Sequence, residues 1–379
     1  MFTVEETAFD NRQMSLKDKF FNISFSYIFF ILLIGLIGVG MLYSAGDGSW
    51  NPWASKQFAR FVAGFFVLMI LALINIRFFA RYAYLFYFLT LALLVAVEIF
   101  GHIGMGAQRW IDLGIIKIQP SEFMKITLVL ALAKYFQNSA MRDINSIKGI
   151  IPAVVMAGVP VLLIFLQPDL GTALMLLFVS AAILFAVGVE WWKFAVVGVV
   201  GVCSLPFLWY FLHDYQKNRI FTFLNPERDP LGAGYHIIQS KIALGSGGLF
   251  GKGFLDGTQS HLNFLPEKHT DFIFTMLAEE FGLTGSLFVL FLNMILIAYG
   301  YIFAYKTNNY FGKLVIIGLN TNYFLYVFIN IAMVLGLLPV VGVPLPLISY
   351  GGTVILSIMA SFGIILSAYV NRNDQFMHE

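Results

Sequence analysis

Ten apolar segments, each close to the length that crosses a bilayer, recur along the 379 residues and leave few folds open. A spanning helix needs about 20 mostly apolar residues, because lipid offers no partner to an unpaired backbone group. The segments are Ile23–Tyr43, Phe61–Ile76, Tyr82–Gly101, Ile118–Phe136, Ile150–Leu166, Gly171–Val189, Phe194–Leu212, Phe272–Phe303, Leu314–Leu338 and Ile348–Val370. Charged residues make up only 12% of the chain, against about 25% in a soluble domain. Forty Phe and 17 Tyr are more than one soluble core of this size could bury. The pattern predicts an all-α polytopic membrane protein with ten transmembrane helices. Pro206 predicts a kink in the seventh span. The eighth segment exceeds one bilayer thickness, which predicts a tilt or a break near Gly282 or Gly285.

An even number of spans puts both termini on one side, and charge chooses the side. Arg12, Lys17, Lys19, Arg77, Arg81, Lys134, Arg142, Lys148, Lys193, Lys306, Lys313 and Arg372 flank spans on that side, against Lys56, Arg60, Arg109 and Lys117 on the other. The excess places residues 1–22 and 371–379 in the cytoplasm as short tails. The long polar stretch 213–271, between spans seven and eight, then faces outward as an extracytoplasmic loop. The chain reads as one membrane domain over residues 1–379. The first apolar segment is too long for a signal h-region, so no cleavable signal peptide is expected. Cys203 is the only cysteine, which excludes an intrachain disulfide. The net charge of +2 is scattered between apolar spans and forms no nucleic-acid patch.

Polar groups gather at a few places. Gln119-Pro120-Ser121-Glu122 opens the fourth span, with Lys125 three residues after Glu122 on the same helix face. Ionisable groups inside a span are costly and point to function. The pair reads either as an anion site at a helix N-terminus or as a structural ion pair. Arg109 beside Trp110 suits a substrate contact or a headgroup anchor. Asp169, in Gln167-Pro168-Asp169-Leu170-Gly171-Thr172, reads as a cap of the sixth span or as a site residue. Within the loop, residues 235–244 predict a short helix with Ile237, Ile238 and Ile242 on the membrane surface. The glycine-rich run from Gly245 to Gly253 fails as a phosphate loop, because Ser246 stands where glycine is needed and Gly253 follows Lys252. It keeps the freedom to approach a phosphate or sugar closely. Asp271, where the chain re-enters apolar sequence, reads equally as a helix cap or as a general base. Three prolines and three glycines between Pro339 and Gly352 predict irregular backbone walling a polar cavity. The six histidines show no metal-ligand spacing.

Together these motifs resemble one family, SEDS (shape, elongation, division and sporulation). The matching stretches are Gly106–Trp110 (GAQRW), Gln119–Glu122 (QPSE) with Lys125, and Gln167–Thr172 (QPDLGT). Further matches are Arg219–Tyr235 (RIFTFLNPERDPLGAGY), Asn263–Glu280 (NFLPEKHTDFIFTMLAEE) and Pro344–Thr353 (PLPLISYGGT). GAQRW and the short N-terminal tail are similar to the cell-elongation branch more than to the division branch.

The resemblance implies an inverting peptidoglycan glycosyltransferase of the bacterial inner membrane. Its substrate would be lipid II, an undecaprenyl-diphosphate-linked disaccharide pentapeptide, polymerised on the outer face. Asp271 matches the family's essential loop aspartate, a general base for the GlcNAc 4-hydroxyl of the acceptor. Glu122 and Lys125 match its essential fourth-span pair. The departing lipid diphosphate needs positive charge, offered by Lys125, Arg109 and the loop lysines Lys241 and Lys268. No tightly held cofactor is implied, and a divalent cation, magnesium or manganese, is compatible with the leaving group. Asp169, Arg219 and Ser349 complete the candidate substrate contacts. The implied partner is a class B penicillin-binding protein, a transpeptidase of the elongation complex. Rival readings are a division-branch enzyme with the same chemistry, a lipid II transporter, and a scaffold that activates its transpeptidase.

Overall fold

Apolar helices carry almost the whole chain. The computed structural model describes residues 14–104, 107–112, 114, 117–137, 144–211, 214–228, 233–262 and 268–374. A short α1 (Leu16–Phe21), capped by Ser15, precedes α2 (Phe25–Ala45), α3 (Trp53–Leu73) and α4 (Ile76–Phe100). Then come α5 (Pro120–Phe136), α6 (Ile147–Leu166), α7 (Leu170–Val187) and α8 (Trp191–Phe211), with Pro206 inside α8. The expected loop contains α9 (Asp214–Leu224), a single 3-10 turn (Pro226–Arg228), α10 (Ala233–Ser246) and α11 (Thr258–His261). The long helices α12 (Ile273–Lys306), α13 (Tyr310–Val334) and α14 (Gly352–Val370) follow.

Among the described residues, eight helices are long and apolar enough to cross a membrane: α2, α3, α4, α6, α7, α12, α13 and α14. The chain is therefore a multi-pass membrane protein. The other two expected spans correspond to α5, which has 17 residues, and to α8. One departure from an all-helical chain is a small antiparallel sheet, β1 (His102–Gly104), β2 (Ala107–Asp112) and β3 (Lys117–Ile118), with β2 in the middle. It forms where the sequence suggested only an interfacial loop. Ile111 pairs with Ile118 and His102 with Trp110, so the sheet leads the chain from α4 into α5.

α13 and α14 are the most buried of the eight helices, and α6 the least. α3 and α14 pack intimately, because Gly363 brings the backbone of α14 against Leu68 on α3. At one end of the bundle, Ser367 donates to the Ile74 carbonyl and Lys19 to that of Leu73. Asn75 and Asn309 both bond Asp374 there. At the other end lie residues 47–53, the small sheet, the α6–α7 turn and the segment 339–350.

α12 has 34 residues, a length of about 51 Å at 1.5 Å per residue, well beyond a hydrocarbon core of about 30 Å. It breaks at Gly282, whose φ of 65° and ψ of −160° are non-helical and suit glycine. The run from Gly245 to Gly253 fills this break. Leu283 and Thr284 donate their N–H groups to the carbonyls of Gly248 and Leu249. Lys252 and Gly253 donate theirs to the carbonyls of Glu279 and Glu280. A Cβ at Gly251 would lie 2.1 Å from the Glu280 carbonyl oxygen. The glycines therefore let backbone meet backbone, and the close approach expected toward a phosphate or sugar is made toward α12.

α10 departs from its expected setting at Ile237, which packs into the protein. Its buried face is Ile237, Ser240 and Ala243, while Ile242 is exposed. Ser240 bonds the Thr275 hydroxyl at 2.8 Å and the Val334 carbonyl at 3.0 Å, so α10 packs on α12 and α13.

Candidate active site

The approach to α12 is the first polar centre. The N-cap of α12 is Phe272, whose side chain makes no capping bond. Asp271 lies one residue before that N-cap. Its turn is held from three sides. Ser349 Oγ donates to the Thr270 carbonyl at 2.7 Å, and the Tyr350 N–H donates to the His269 carbonyl at 2.9 Å. Asn330, on α13, donates to the Asp271 carbonyl at 3.0 Å and to the Val343 carbonyl at 2.7 Å. A Cβ at Gly342 would lie 3.7 Å from Asp271 Oδ2, which puts the carboxylate against the 339–347 segment. That segment is irregular backbone, as its prolines and glycines predict. Trp53 stacks on His269 with ring centroids 4.1 Å apart and meets Tyr350 edge-on.

Ser349 does not stand open to a ligand. It also accepts from the Leu345 N–H at 2.8 Å, and its carbonyl accepts from Gln57 at 2.9 Å.

The second centre is the Glu122–Lys125 pair on α5. Lys125 Nζ lies 2.7 Å from Glu122 Oε1, and both side chains are buried. The Tyr326 hydroxyl hydrogen-bonds both partners. Ser357, on α14, donates to Glu122 Oε2 at 2.9 Å. Tyr326 and Asn330 are four residues apart on α13, hence on one face. That face links the ion pair to the turn bearing Asp271.

The α6–α7 turn forms a third polar group. Asp169 caps α7, accepting from the Thr172 N–H at 3.3 Å and its hydroxyl at 3.0 Å. Arg109, on β2, donates to the carbonyls of Gln167 and Pro168 and lies 3.9 Å from Asp169. Gln167 reaches back to the Leu94 carbonyl at 2.9 Å. Arg109 therefore fastens the sheet to the turn.

The loop residues fall into two sets. Lys268 is buried, donates to the Ser260 carbonyl at 2.9 Å, and lies 3.5 Å from Asp47. Asp47 Oδ1 is 2.5 Å from His261 Nδ1. Partial burial pushes the Asp47 carboxyl up, but the His261 hydrogen bond and the charges of Lys268 and His261 outweigh it and hold it below its usual 3.8. Glu279 accepts from Lys252 at 2.8 Å, from the N–H groups of Gln259 and Ser260, and from the Ser260 hydroxyl. These bonds tie Lys252, Gln259 and Ser260 to α12. Lys241 is exposed and lies along Gly336, at the turn after α13. Arg219 lies in α9; its side chain, Gly106 of GAQRW, and residues 263–267 are outside the described residues. Among the described residues, no three of His, Cys, Asp and Glu gather to hold a metal.

Sequence reasoning missed Trp53, Gln57, Tyr326, Asn330 and Ser357. Asn320, Asn322, Tyr323, Tyr326 and Asn330 form a polar row inside the ninth apolar segment. Such a row is a signal in its own right.

A sequence profile of the FtsW, RodA and SpoVE family, described as "cell cycle protein", matches residues 21–374. The chain belongs to this family. It is 46% identical over 345 residues to peptidoglycan glycosyltransferase MrdB of Escherichia coli K12, covering 90% of this chain and 92% of that one. It is 34% identical to stage V sporulation protein E of Bacillus subtilis, covering 91% and 96%. Among solved structures, it matches one described as "Structural coordination of polymerization and crosslinking by a peptidoglycan synthase complex". There the TM-score is 0.80 at 29% identity, covering 92% of this chain and 98% of that chain. Thermus thermophilus rod shape determining protein RodA matches with a TM-score of 0.71 at 26% identity, covering 93% and 98%.

Proposed function

We propose that this chain is a peptidoglycan glycosyltransferase that polymerises lipid II during cell-wall elongation. The observation that carries this reading is the Asp271 turn. A carboxylate at the mouth of a spanning helix is fixed through its backbone by Asn330 and its neighbours' bonds to Ser349 and Tyr350. That is the preorganisation a general base needs.

In the proposed reaction Asp271 takes the proton from the 4-hydroxyl of the acceptor GlcNAc. The hydroxyl oxygen bonds to the anomeric carbon of the donor sugar from the face opposite its diphosphate. The bond to the diphosphate oxygen breaks, the centre inverts, and the lipid diphosphate leaves with the electron pair. The Glu122–Lys125 pair, braced by Tyr326 and Ser357, underlies the site on α5. Asp169 and Arg109 act by positioning the sheet and the α6–α7 turn, with Lys268 tying down the loop. Lys241 and Arg219 are the loop cations offered to substrate.

In this reading α5 and α8 complete ten spans, both tails are cytoplasmic, and the Asp271 end faces outward in the bacterial inner membrane. The partner is a class B penicillin-binding protein, supported by the likeness to a complex that couples polymerisation to crosslinking. The test is direct. The purified chain, given lipid II and a partner with an inactivated transpeptidase, should yield glycan strands on a gel. Lipid II left intact, or merely moved between leaflets of a proteoliposome, would contradict the reading.

A further inference from the structure

Two cations to which the sequence assigns the diphosphate are engaged within the protein. Lys125 is 1% exposed and bonded to Glu122 and Tyr326. Arg109 donates to two carbonyls beside Asp169. Arg60 is different. It lies two turns into α3 and is only partly buried. Its Cζ sits 4.5 Å from the centroid of the Tyr350 ring, a cation–π contact. Its Nη1 is buried with no hydrogen-bond partner among the described residues. A buried cationic N–H without an acceptor is costly and is seldom left so without a reason.

The surroundings deepen the imbalance. A Cβ at Gly352, the first residue of α14, would lie 3.6 Å from Arg60 Cζ and Nε. The N-cap of α14 is Gly351, which has no side chain to bond the first amides of the helix. A helix N-terminus carries roughly half a positive charge. Here it adjoins a guanidinium, so two positive features face one place. An anion shared between them turns the repulsion into attraction.

The position suits the reaction. The ring under Arg60 belongs to Tyr350, whose N–H holds the His269 carbonyl at 2.9 Å, two residues before Asp271. On the same helix face, Gln57 holds the Ser349 carbonyl at 2.9 Å. α3 thus braces the Asp271 turn with Gln57 and offers Arg60 beside it.

We propose that Arg60, together with the amide end of α14, binds the diphosphate of the lipid-linked sugar donor and steadies it as it leaves. This deepens the glycosyltransferase reading and rests on it. A guanidinium fork matches two non-bridging phosphate oxygens in a way a carboxylate-seeking lysine does not. A site at this depth, where α3 turns wholly apolar after Arg60, fits a phosphate that carries a lipid tail.

The test compares undecaprenyl diphosphate with undecaprenol, which has the same tail and no charge. Binding is measured to the full-length purified chain and to Arg60→Gln and Arg60→Lys. Arg60→Gln should weaken diphosphate binding about tenfold or more and leave undecaprenol binding unchanged. Arg60→Lys should fall between the parent and Arg60→Gln, and carries the test by itself if the Gln variant does not fold. The kcat/KM for lipid II should fall with the diphosphate affinity. Equal weakening for both ligands marks a packing role and overturns the proposal, as does a folded Arg60→Gln with parental diphosphate affinity. If the parent itself neither polymerises lipid II nor binds the diphosphate, the glycosyltransferase reading fails as well, and the two failures are told apart.

Discussion

Lys125 and Glu122 show how a buried pair constrains a membrane core at the level of single residues. Each neutralises the other, and Tyr326 and Ser357 satisfy the remaining positions. Lys125→Ala leaves a buried carboxylate without its counter-charge. It should destabilise the protein by about 3–5 kcal/mol, read from thermal or denaturant unfolding in detergent. Exchanging both residues for apolar side chains of similar size should cost less than either single change, which a double-mutant cycle measures. Asn330 is the residue most easily overlooked. Its amide spans the Asp271 and Val343 carbonyls. Asn330→Ala should let the base drift, lowering kcat about tenfold to a hundredfold with little change in KM. A normal kcat for a folded Asn330→Ala would remove its positioning role.

At the scale of elements, the broken helix α12 depends on glycine in two places. Gly282 takes the non-helical turn, and the run from Gly245 to Gly253 fills the gap it leaves. Gly251→Ala faces both a φ of +81° and a Cβ only 2.1 Å from the Glu280 carbonyl oxygen. It should cost more than about 2 kcal/mol in stability and loosen residues 252–261, seen as faster amide exchange there. The Asp47–His261–Lys268 tie makes a pH prediction. The Asp47 carboxyl is held below its usual value in the folded protein. Its stabilising effect is therefore full above the unfolded value and is lost as pH falls through the lower, folded one. Asp47→Asn should be less stable than the parent at neutral pH, and the gap should close as the pH drops below about 4. A gap independent of pH would show that Asp47 contributes no charge to the tie.

Over the whole molecule, the order of spans and the break near Gly282 were legible, because apolar run length and glycine act locally. The Glu122–Lys125 pair was legible for the same reason: three residues on a helix fix their neighbourhood. The cap at Asp169 could be read from its neighbours too, whereas the setting of Asp271 could not. The bonds that hold its turn come from Asn330, Ser349 and Tyr350, far along the chain. The sheet around Arg109 was hidden in residues that look like an interfacial loop. The burial of Ile237 on α10 was hidden too, since Ser240 on the same face turns inward to meet Thr275 and Val334, while Ile242 stays outside. In each case a partner distant in sequence outweighed the local pattern.

The proposed chemistry centres on Asp271, a carboxylate fixed by its backbone beside the irregular 339–347 segment. The most direct measurement is lipid II polymerisation by purified Asp271→Asn, alongside its melting temperature and its binding of undecaprenyl diphosphate. The account predicts parental stability, near-parental diphosphate binding and no glycan strands. Glycan strands made at the parental rate would contradict it.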